Sequence, residues 1–160
     1  MKIIVFSDSH SDTRKMREAL KIHKSNTEVV VFLGDGLRDV ESLKVMYPNI
    51  AFFSVKGNCD FFEREAEEER LLTLDGVKIL ITHGHLYGVK GGYGKIATHA
   101  EKIGADAVFF GHTHIPLESI CEVNNKNIVL FNPGSIGKDG NYGVVNTSGK
   151  VIVTSCGKIL

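Results

Sequence analysis

The 160-residue chain has few cysteines, few prolines and no excess of charge of either sign. Its three cysteines, Cys59, Cys121 and Cys156, are odd in number and far apart, which argues against a disulfide framework. The 19 basic and 19 acidic residues cancel, so the overall charge does not attract nucleic acid or a membrane surface over long range. No apolar run approaches the ~20 residues of a membrane span, and the apolar start of the chain is too short for a signal peptide. These absences favour a cytoplasmic protein that has no membrane partner.

The three prolines separate no obvious linkers, and no repeat or low-complexity segment divides the chain. We therefore expect residues 1–160 to form a single domain. A chain of this length buries roughly two-thirds of the surface that it exposes when unfolded, which is enough for a hydrophobic core without disulfides.

Short apolar, β-branched runs alternate with amphipathic segments in the first two-thirds of the chain. The runs are typical of buried strands and cover residues 3–6, 29–33, 51–55, 78–82 and 107–110. Apolar residues at helical spacing predict helices around residues 16–23, 39–46 and 96–103, the first capped by Ser11 or Asp12. The charge-dense segment 63–70 is typical of a solvated turn or helix face.

The last third predicts short strands at 117–123, 127–131, 143–146 and 150–154, with hairpin turns at Asn124-Asn125 and Ser148-Gly149. We therefore expect βαβ units followed by a meander. The corresponding fold class is a layered α/β structure in which sheets pack together and helices lie outside.

Each of the first five predicted strands ends near side chains that bind metals. The motifs are Ser7-Asp8-Ser9-His10, Gly34-Asp35, Gly57-Asn58-Cys59-Asp60, Thr82-His83-Gly84-His85 and Gly111-His112-Thr113-His114. Ligand sites in open α/β sheets lie beyond the carboxyl ends of the strands, so these motifs are expected to converge. If the last motif is extended, its two histidines point the same way.

Each motif also has an ordinary structural interpretation. Asp8 alone is compatible with a helix cap, Gly34-Asp35 and Gly57-Asn58 with turns, and His83 with a surface or core histidine. Five such motifs in order, each after an apolar strand, favour a common metal site over independent coincidences.

In this order the motifs resemble the signature of calcineurin-like metallophosphoesterases, which reads D-x-H, G-D, G-N-H-D/E, H and G-H-x-H. The short chain and Asn132-Pro133-Gly134-Ser135 are similar to the small YfcE-type phosphodiesterase branch, which is related to the retromer subunit Vps29. The resemblance implies a four-layer αββα sandwich. It also implies a dinuclear metal-dependent phosphoesterase, preferring phosphodiesters, in which a metal-bridging hydroxide attacks a small-molecule phosphate ester.

The resemblance also implies two sets of metal ligands that share Asp35. The first set is Asp8, His10, Asp35 and His114, and the second is Asp35, Asn58, His83 and His112. Imidazole, carboxylate and amide donors suit two divalent transition-metal ions, with Mn as the first candidate and Ni, Fe, Co or Zn as alternatives.

Three residues, Asn58, Cys59 and His85, are the catalytic candidates. Cys59 stands where many relatives have histidine, and a thiol with a reference pKa of ~8.5 is a less versatile proton donor, which predicts a preference for good leaving groups. A packed, inert thiol is the alternative. His85 is a second candidate acid or phosphate contact. Lys138 is a candidate cation where relatives often have Pro-Arg.

The sequence also leaves open other functions and a homo-oligomer interface. The main competing function is a catalytically weak or inactive metal-binding scaffold of the Vps29 kind. A nuclease is disfavoured, because the chain has no basic excess. The phenylalanine pairs 52–53, 61–62 and 109–110 fit a core or an interface better than a base-stacking platform, and Phe61 or Tyr93 are candidates for a homo-oligomer face.

Overall fold

Ten strands form two five-stranded sheets in the computed structural model, which describes residues 1–160. The strands are β1 (Lys2–Phe6), β2 (Val29–Phe32), β3 (Ala51–Ser54), β4 (Glu69–Leu74), β5 (Val77–Thr82), β6 (Ala107–Phe109), β7 (Leu117–Val123), β8 (Lys126–Asn132), β9 (Asn141–Ser148) and β10 (Val151–Lys158). The helices are α1 (Arg14–His23), α2 (Leu37–Met46), α3 (Gly94–Lys102) and α4 (Ile136–Asp139), with a short 3-10 helix at His85–Tyr87.

Each sheet contains three parallel strands; antiparallel strands flank them on one side in the first sheet and on both sides in the second. The first sheet has the order β10-β9-β1-β2-β3, and the second has the order β4-β5-β6-β8-β7. Strands β1, β2 and β3 are parallel to one another, as are β5, β6 and β8. Five of these six parallel strands, all except β8, are followed by a predicted metal-binding motif at their carboxyl ends, which places the site at one edge of the molecule.

Alternate residues of each strand enter different apolar layers. In β1, Ile3 and Val5 pack between the sheets with residues such as Phe109 of β6. The other face of the first sheet packs on α1 and α2, and the other face of the second sheet packs on α3. The period-two alternation of strands therefore produces an α-β-β-α order of layers, which confirms the predicted four-layer sandwich.

The structure corrects several sequence-based expectations. Helix α1 begins at Arg14, after Thr13, rather than being capped directly by Ser11 or Asp12, although the Asp12 side chain accepts a hydrogen bond from the Arg14 amide. The segment 63–70 forms a turn at residues 64–66, which is one of the two alternatives predicted, but it is not a helix face, because its last residues begin β4, an edge strand paired antiparallel with β5.

The last third is not a meander within one sheet. The β7–β8 hairpin joins the second sheet, and the β9–β10 hairpin joins the first. Asn124 and Asn125 do form the predicted turn, with φ of 50° and 61° as a primed hairpin turn requires. The other hairpin turns at residues 149–150, one position later than predicted, because Ser148 pairs with Val151.

The cysteines and the helices can be compared with what the composition predicted. All three cysteines are free thiols, as their number and spacing predicted. None of the helices has both the length and the apolar character needed to cross a membrane.

Candidate metal centre

The five sequence motifs converge on two buried carboxylates, Asp8 and Asp35. Asp8 follows β1 and Asp35 follows β2, and their side chains are almost completely buried. Because these strands are parallel neighbours, both carboxylates lie beyond the same edge of the sheet. A buried negative charge is unfavourable unless hydrogen bonds or a positive group compensate it, so the neighbours of these two carboxylates indicate what they bind.

His83 lies between the two carboxylates. Its Nε2 is 3.4 Å from Asp35 Oδ2 and 3.9 Å from Asp8 Oδ1, while its Nδ1 is 2.7 Å from the Leu33 carbonyl oxygen. A carbonyl oxygen only accepts, so Nδ1 carries the hydrogen and donates it, which directs Nε2 towards the carboxylates. This Nε2 is buried and has no hydrogen-bond partner.

The pKa of His83 is raised. Burial alone would lower it, but the carboxylates of Asp35 and Asp8 favour the imidazolium and outweigh desolvation. The same pairing holds the pKa of Asp35 well below its usual range, against the opposing effect of burial. A divalent cation would compete with the proton for this Nε2, so the arrangement fits a metal ligand whose other nitrogen is held by a carbonyl.

Two further histidines face Asp8. His114 Nε2 is 3.1 Å from Asp8 Oδ1, and His10 Nε2 is 4.0 Å from the same oxygen. The donor atoms of Asp8, His10 and His114 lie within 4.8 Å of one another, and so do those of Asp8, Asp35 and His83. A third such group is His10, Asp35 and Cys59, so the structure gathers five of the seven predicted ligands in three overlapping groups.

The other two predicted ligands are adjacent but less completely gathered. The His112 ring centroid is 5.1 Å from that of His83, and burial together with His83 and Lys90 lowers the pKa of His112 to about 4. Asn58 is exposed, and its amide nitrogen donates to Cys59 Sγ at 3.4 Å.

Most of these ligand candidates have a left-handed backbone. Positive φ values between 45° and 66° occur at Asp8, His10, Asp35, His112 and His114. Non-glycine residues at such angles are strained by roughly 1–3 kcal/mol each and are concentrated at functional sites. The motif from His112 to His114 is therefore not extended, and the expectation that its side chains point the same way was wrong. The His112 ring packs edge to face against the His83 ring, whereas His114 reaches Asp8.

Asp60 joins two of the ligand loops. Its Oδ1 accepts hydrogen bonds from the amides of Gly36 and Leu37, both at 2.9 Å. Its Oδ2 accepts from those of Asp35 and Gly57, both at 2.8 Å. Three of these four backbone donors hold the loop after β2 against the loop after β3, and the fourth, Gly57, closes the turn that contains Asp60.

Small residues are required where these loops meet. A Cβ added to Gly57 would lie 2.2 Å from Asp35 Oδ1, and one added to Gly111 would lie 1.9 Å from Ser7 Oγ and 2.8 Å from Asp8 Oδ2. These glycines let the backbone approach the carboxylates directly.

Polar residues outside the motifs hold the remaining loops. Asn132 Nδ2 donates to the Gly111 carbonyl at 2.9 Å, and Ser135 Oγ donates to the Asp8 carbonyl at 3.0 Å. Asp39 accepts from Ser9 Oγ at 2.6 Å and from the Ser11 amide at 2.9 Å, which fixes the loop around His10. Sequence reasoning missed Asp39, because an acidic residue in the first turn of a helix is common and gives no specific signal.

The remaining catalytic candidates flank the carboxylates. The backbone amide of Cys59 donates to Asp35 Oδ1 at 2.7 Å, and partial burial together with Asp35 raises the pKa of its thiol to about 11. The His85 ring centroid is 5.5 Å from that of His83, and burial followed by His83 lowers its pKa. Lys138 Nζ makes no hydrogen bond or ion pair, and the neighbouring α4 carbonyl of Gly137 is bound by Lys15 instead.

Among curated proteins, the chain is 34% identical over 137 residues to "Probable metallophosphoesterase YsnB" of Bacillus subtilis, covering 85% of this chain and 75% of the relative. Among solved structures, a conserved Streptococcus pneumoniae protein described as a predicted phosphoesterase is 28% identical with a TM-score of 0.78, over 98% of this chain and 88% of the other.

Two more distant structures share the fold. An archaeal phosphodiesterase is 23% identical with a TM-score of 0.73, covering 98% of this chain and 99% of that one. Wild-type Vps29 of Entamoeba histolytica, solved with zinc, is 18% identical with a TM-score of 0.74, covering 99% of this chain and 98% of the other. The calcineurin-like phosphoesterase superfamily domain matches residues 1–150. The chain therefore belongs to the calcineurin-like phosphoesterase superfamily, as the order of its motifs indicated.

Proposed function

We propose that the protein is a dinuclear metal-dependent phosphoesterase that prefers phosphodiesters to phosphomonoesters. The observation that carries the proposal is the buried Nε2 of His83, which has no hydrogen-bond partner and lies between two buried carboxylates. Membership of the superfamily supports hydrolysis of small-molecule phosphate esters. The preference for diesters follows the sequence resemblance to the YfcE-type branch.

The proposed ligands keep the two sets that the sequence motifs imply. Asp8, His10, Asp35 and His114 would hold one ion, and Asp35 would be shared with the second set. The members of that second set are Asp35, Asn58, His83 and His112. Bound divalent ions, with Mn as the first candidate and Ni, Fe, Co or Zn as alternatives, would neutralise phosphate charge and lower the pKa of the attacking water.

Cys59 and His85 are the residues that would donate a proton or a hydrogen bond to the leaving-group oxygen. With a pKa near 11, the Cys59 thiol holds its proton at neutral pH and is a weak donor to a departing alkoxide. The lowered pKa of His85 keeps its imidazole neutral, so it contributes a hydrogen bond rather than a full charge. Aryl phosphodiesters, whose leaving groups need little protonation, are therefore expected to react faster than alkyl ones.

A metal-binding scaffold of the Vps29 kind is the second candidate. Exposed apolar side chains on β7 and β10, the edge strands of the two sheets, favour it, because exposed apolar residues suit a protein partner; they are Ile120, Val151 and Val153. Neither strand carries a metal-binding motif.

Hydrolysis of bis-p-nitrophenyl phosphate with and without Mn, beside p-nitrophenyl phosphate, tests the proposal. We expect metal-dependent release of p-nitrophenol, faster from the diester, and loss of activity in Asp35→Asn and His112→Ala. Asp106→Asn, which changes a half-exposed carboxylate that binds the Lys78 amide and pairs with Lys126, is the matched control and should retain activity. Absence of turnover with Mn, Ni, Co, Fe and Zn by protein that binds metal would refute the enzyme and favour the scaffold.

A further inference from the structure

Two exposed phenylalanines lie beside the proposed metal ligands. Phe61 and Phe62 expose 74% and 80% of their surface, so for this pair the core alternative is wrong and the interface alternative stays a prediction. Tyr93, the other candidate for an interface, instead packs on Phe110 with ring centroids 5.4 Å apart. The exposed pair directly follows Asp60, whose four backbone hydrogen bonds fix the start of this segment. Large apolar side chains held exposed at a cleft indicate a binding surface.

The pair lines a cleft that reaches the proposed metal ligands. The cleft has a volume of about 190 Å³, and its lining includes His10, Asp35 and Cys59 as well as both phenylalanines. A cavity of ~150 Å³ is large enough to bind benzene, so this cleft has room for one aromatic ring beside the carboxylates. Phe61 also borders the neighbouring cleft that contains Asn58 and His85.

Arg38 completes the cleft. Its guanidinium carbon lies 5.4 Å from the centroid of the Phe62 ring, and its Nε donates to Glu63 at 2.7 Å. These contacts orient the Phe62 ring and hold the one lysine or arginine among the lining residues at the cleft. An entering aromatic ring therefore meets aromatic faces and a guanidinium, the two groups that favour stacking.

We infer that this cleft binds an aromatic ring carried by the alcohol of the substrate, so that the preferred phosphoesters are those with one aromatic group close to the phosphate. The inference rests on the proposed phosphoesterase function and adds the class of substrate. Short aliphatic esters gain nothing from the phenylalanine faces, because stacking requires a planar ring.

Binding of phenylphosphonate and methylphosphonate to the Mn-loaded protein, measured by calorimetry, tests the inference. Their carbon–phosphorus bonds are not esters, so binding is separated from turnover. We expect phenylphosphonate to bind about tenfold more tightly than methylphosphonate, a difference typical of stacking on aromatic side chains. Phe61→Leu and Phe62→Leu should reduce this ratio and leave the affinity for methylphosphonate unchanged. Ile120→Leu, a change at an exposed apolar residue of β7, is the control and should keep the ratio.

Each other outcome overturns the inference in a recognisable way. Equal affinity for the two phosphonates, or a ratio unchanged in both phenylalanine variants, refutes the aromatic site and leaves the proposed function intact. A dimer that becomes a monomer in these variants, with the ratio unchanged, identifies the pair as a self-association surface instead. Binding of neither phosphonate refutes the inference if bis-p-nitrophenyl phosphate is hydrolysed, and refutes the proposed function as well if it is not.

Discussion

Replacing Asp60 by asparagine perturbs the loops that position the proposed metal ligands without changing any ligand itself. In the structure, each carboxylate oxygen of Asp60 accepts two backbone amide hydrogens from the loops after β2 and β3. Asparagine keeps the shape of the side chain but offers one oxygen and one NH₂ group. Two backbone amides would then face a donor instead of an acceptor, so about half of the connection between the loops is lost.

The expected cost follows from those two bonds. A hydrogen bond to a charged group contributes about 1.5–3 kcal/mol, so two of them amount to roughly 3–6 kcal/mol. Asp60 is only partly buried, and the freed amides can turn towards water, which favours the lower end. We therefore expect Asp60→Asn to lower the free energy of unfolding by about 3 kcal/mol. A domain with a stability of 5–15 kcal/mol stays folded after such a loss.

Urea unfolding followed by circular dichroism measures the change, and calorimetry on the folded variant measures its affinity for Mn. We expect Mn affinity to fall by at least about tenfold, since Asp35 and Asn58 lie on the two loops that Asp60 joins. Asp106→Asn is the control, because the Asp106 side chain is about half exposed and accepts one backbone amide, that of Lys78, besides a surface ion pair with Lys126 Nζ at 3.5 Å; it should cost about 1 kcal/mol or less. A loss below about 1 kcal/mol in Asp60→Asn, or an unchanged affinity for Mn, would refute this role of Asp60.

Three further outcomes are expected. Gly57→Ala should weaken Mn binding about tenfold or more without changing the circular dichroism spectrum, because its Cβ would lie 2.2 Å from Asp35 Oδ1, and an unchanged affinity would contradict this. Burial and the charge of Lys2 lower the pKa of His23, whose Nδ1 is 3.0 Å from Lys2 Nζ and whose Nε2 is 3.0 Å from Tyr142 Oη. As the pH falls, His23 is therefore protonated in the unfolded chain before it is protonated in the folded protein. The contribution of His23 to the free energy of unfolding is therefore present above about pH 6.5 and is lost as the pH falls below it. The free energy of unfolding of His23→Gln, measured with urea, should depend less on pH below about 6.5 than that of the unchanged protein. Mn at ~100 times its dissociation constant should raise the free energy of unfolding by about 2.7 kcal/mol, EDTA should reverse this, and no change would argue against a folded-state metal site.

The strands that carry the site are predictable from sequence because their signals are local. Apolar runs mark β1, β2, β3, β5 and β6, and the metal-binding motifs follow each run directly. The division of the last four strands between two sheets is not local, because it depends on which edge of each sheet is free. The strand β4 alternates buried Leu72 and Leu74 with exposed neighbours, but the preceding charges hide this pattern in the sequence.

The identities of the candidate ligands can likewise be predicted from short sequence motifs, whereas their arrangement in space cannot. The left-handed backbone at His112 and His114 separates two side chains that an extended strand would align. Three of the four amides that Asp60 binds lie more than twenty residues away in sequence, so the motif that contains Asp60 does not reveal which loops it joins. The exposure of Phe61 and Phe62 is also a tertiary property, because paired phenylalanines are normally buried.

Counting bound ions tests the dinuclear centre most directly. We expect protein loaded with Mn and freed of excess metal to retain two ions per chain by elemental analysis, and Asp35→Asn, which changes the shared ligand and keeps its shape, to retain one or none. Two ions retained equally by both proteins would show that Asp35 is not a shared ligand. A folded protein that retains no Mn, Ni, Fe, Co or Zn would contradict the metal centre itself.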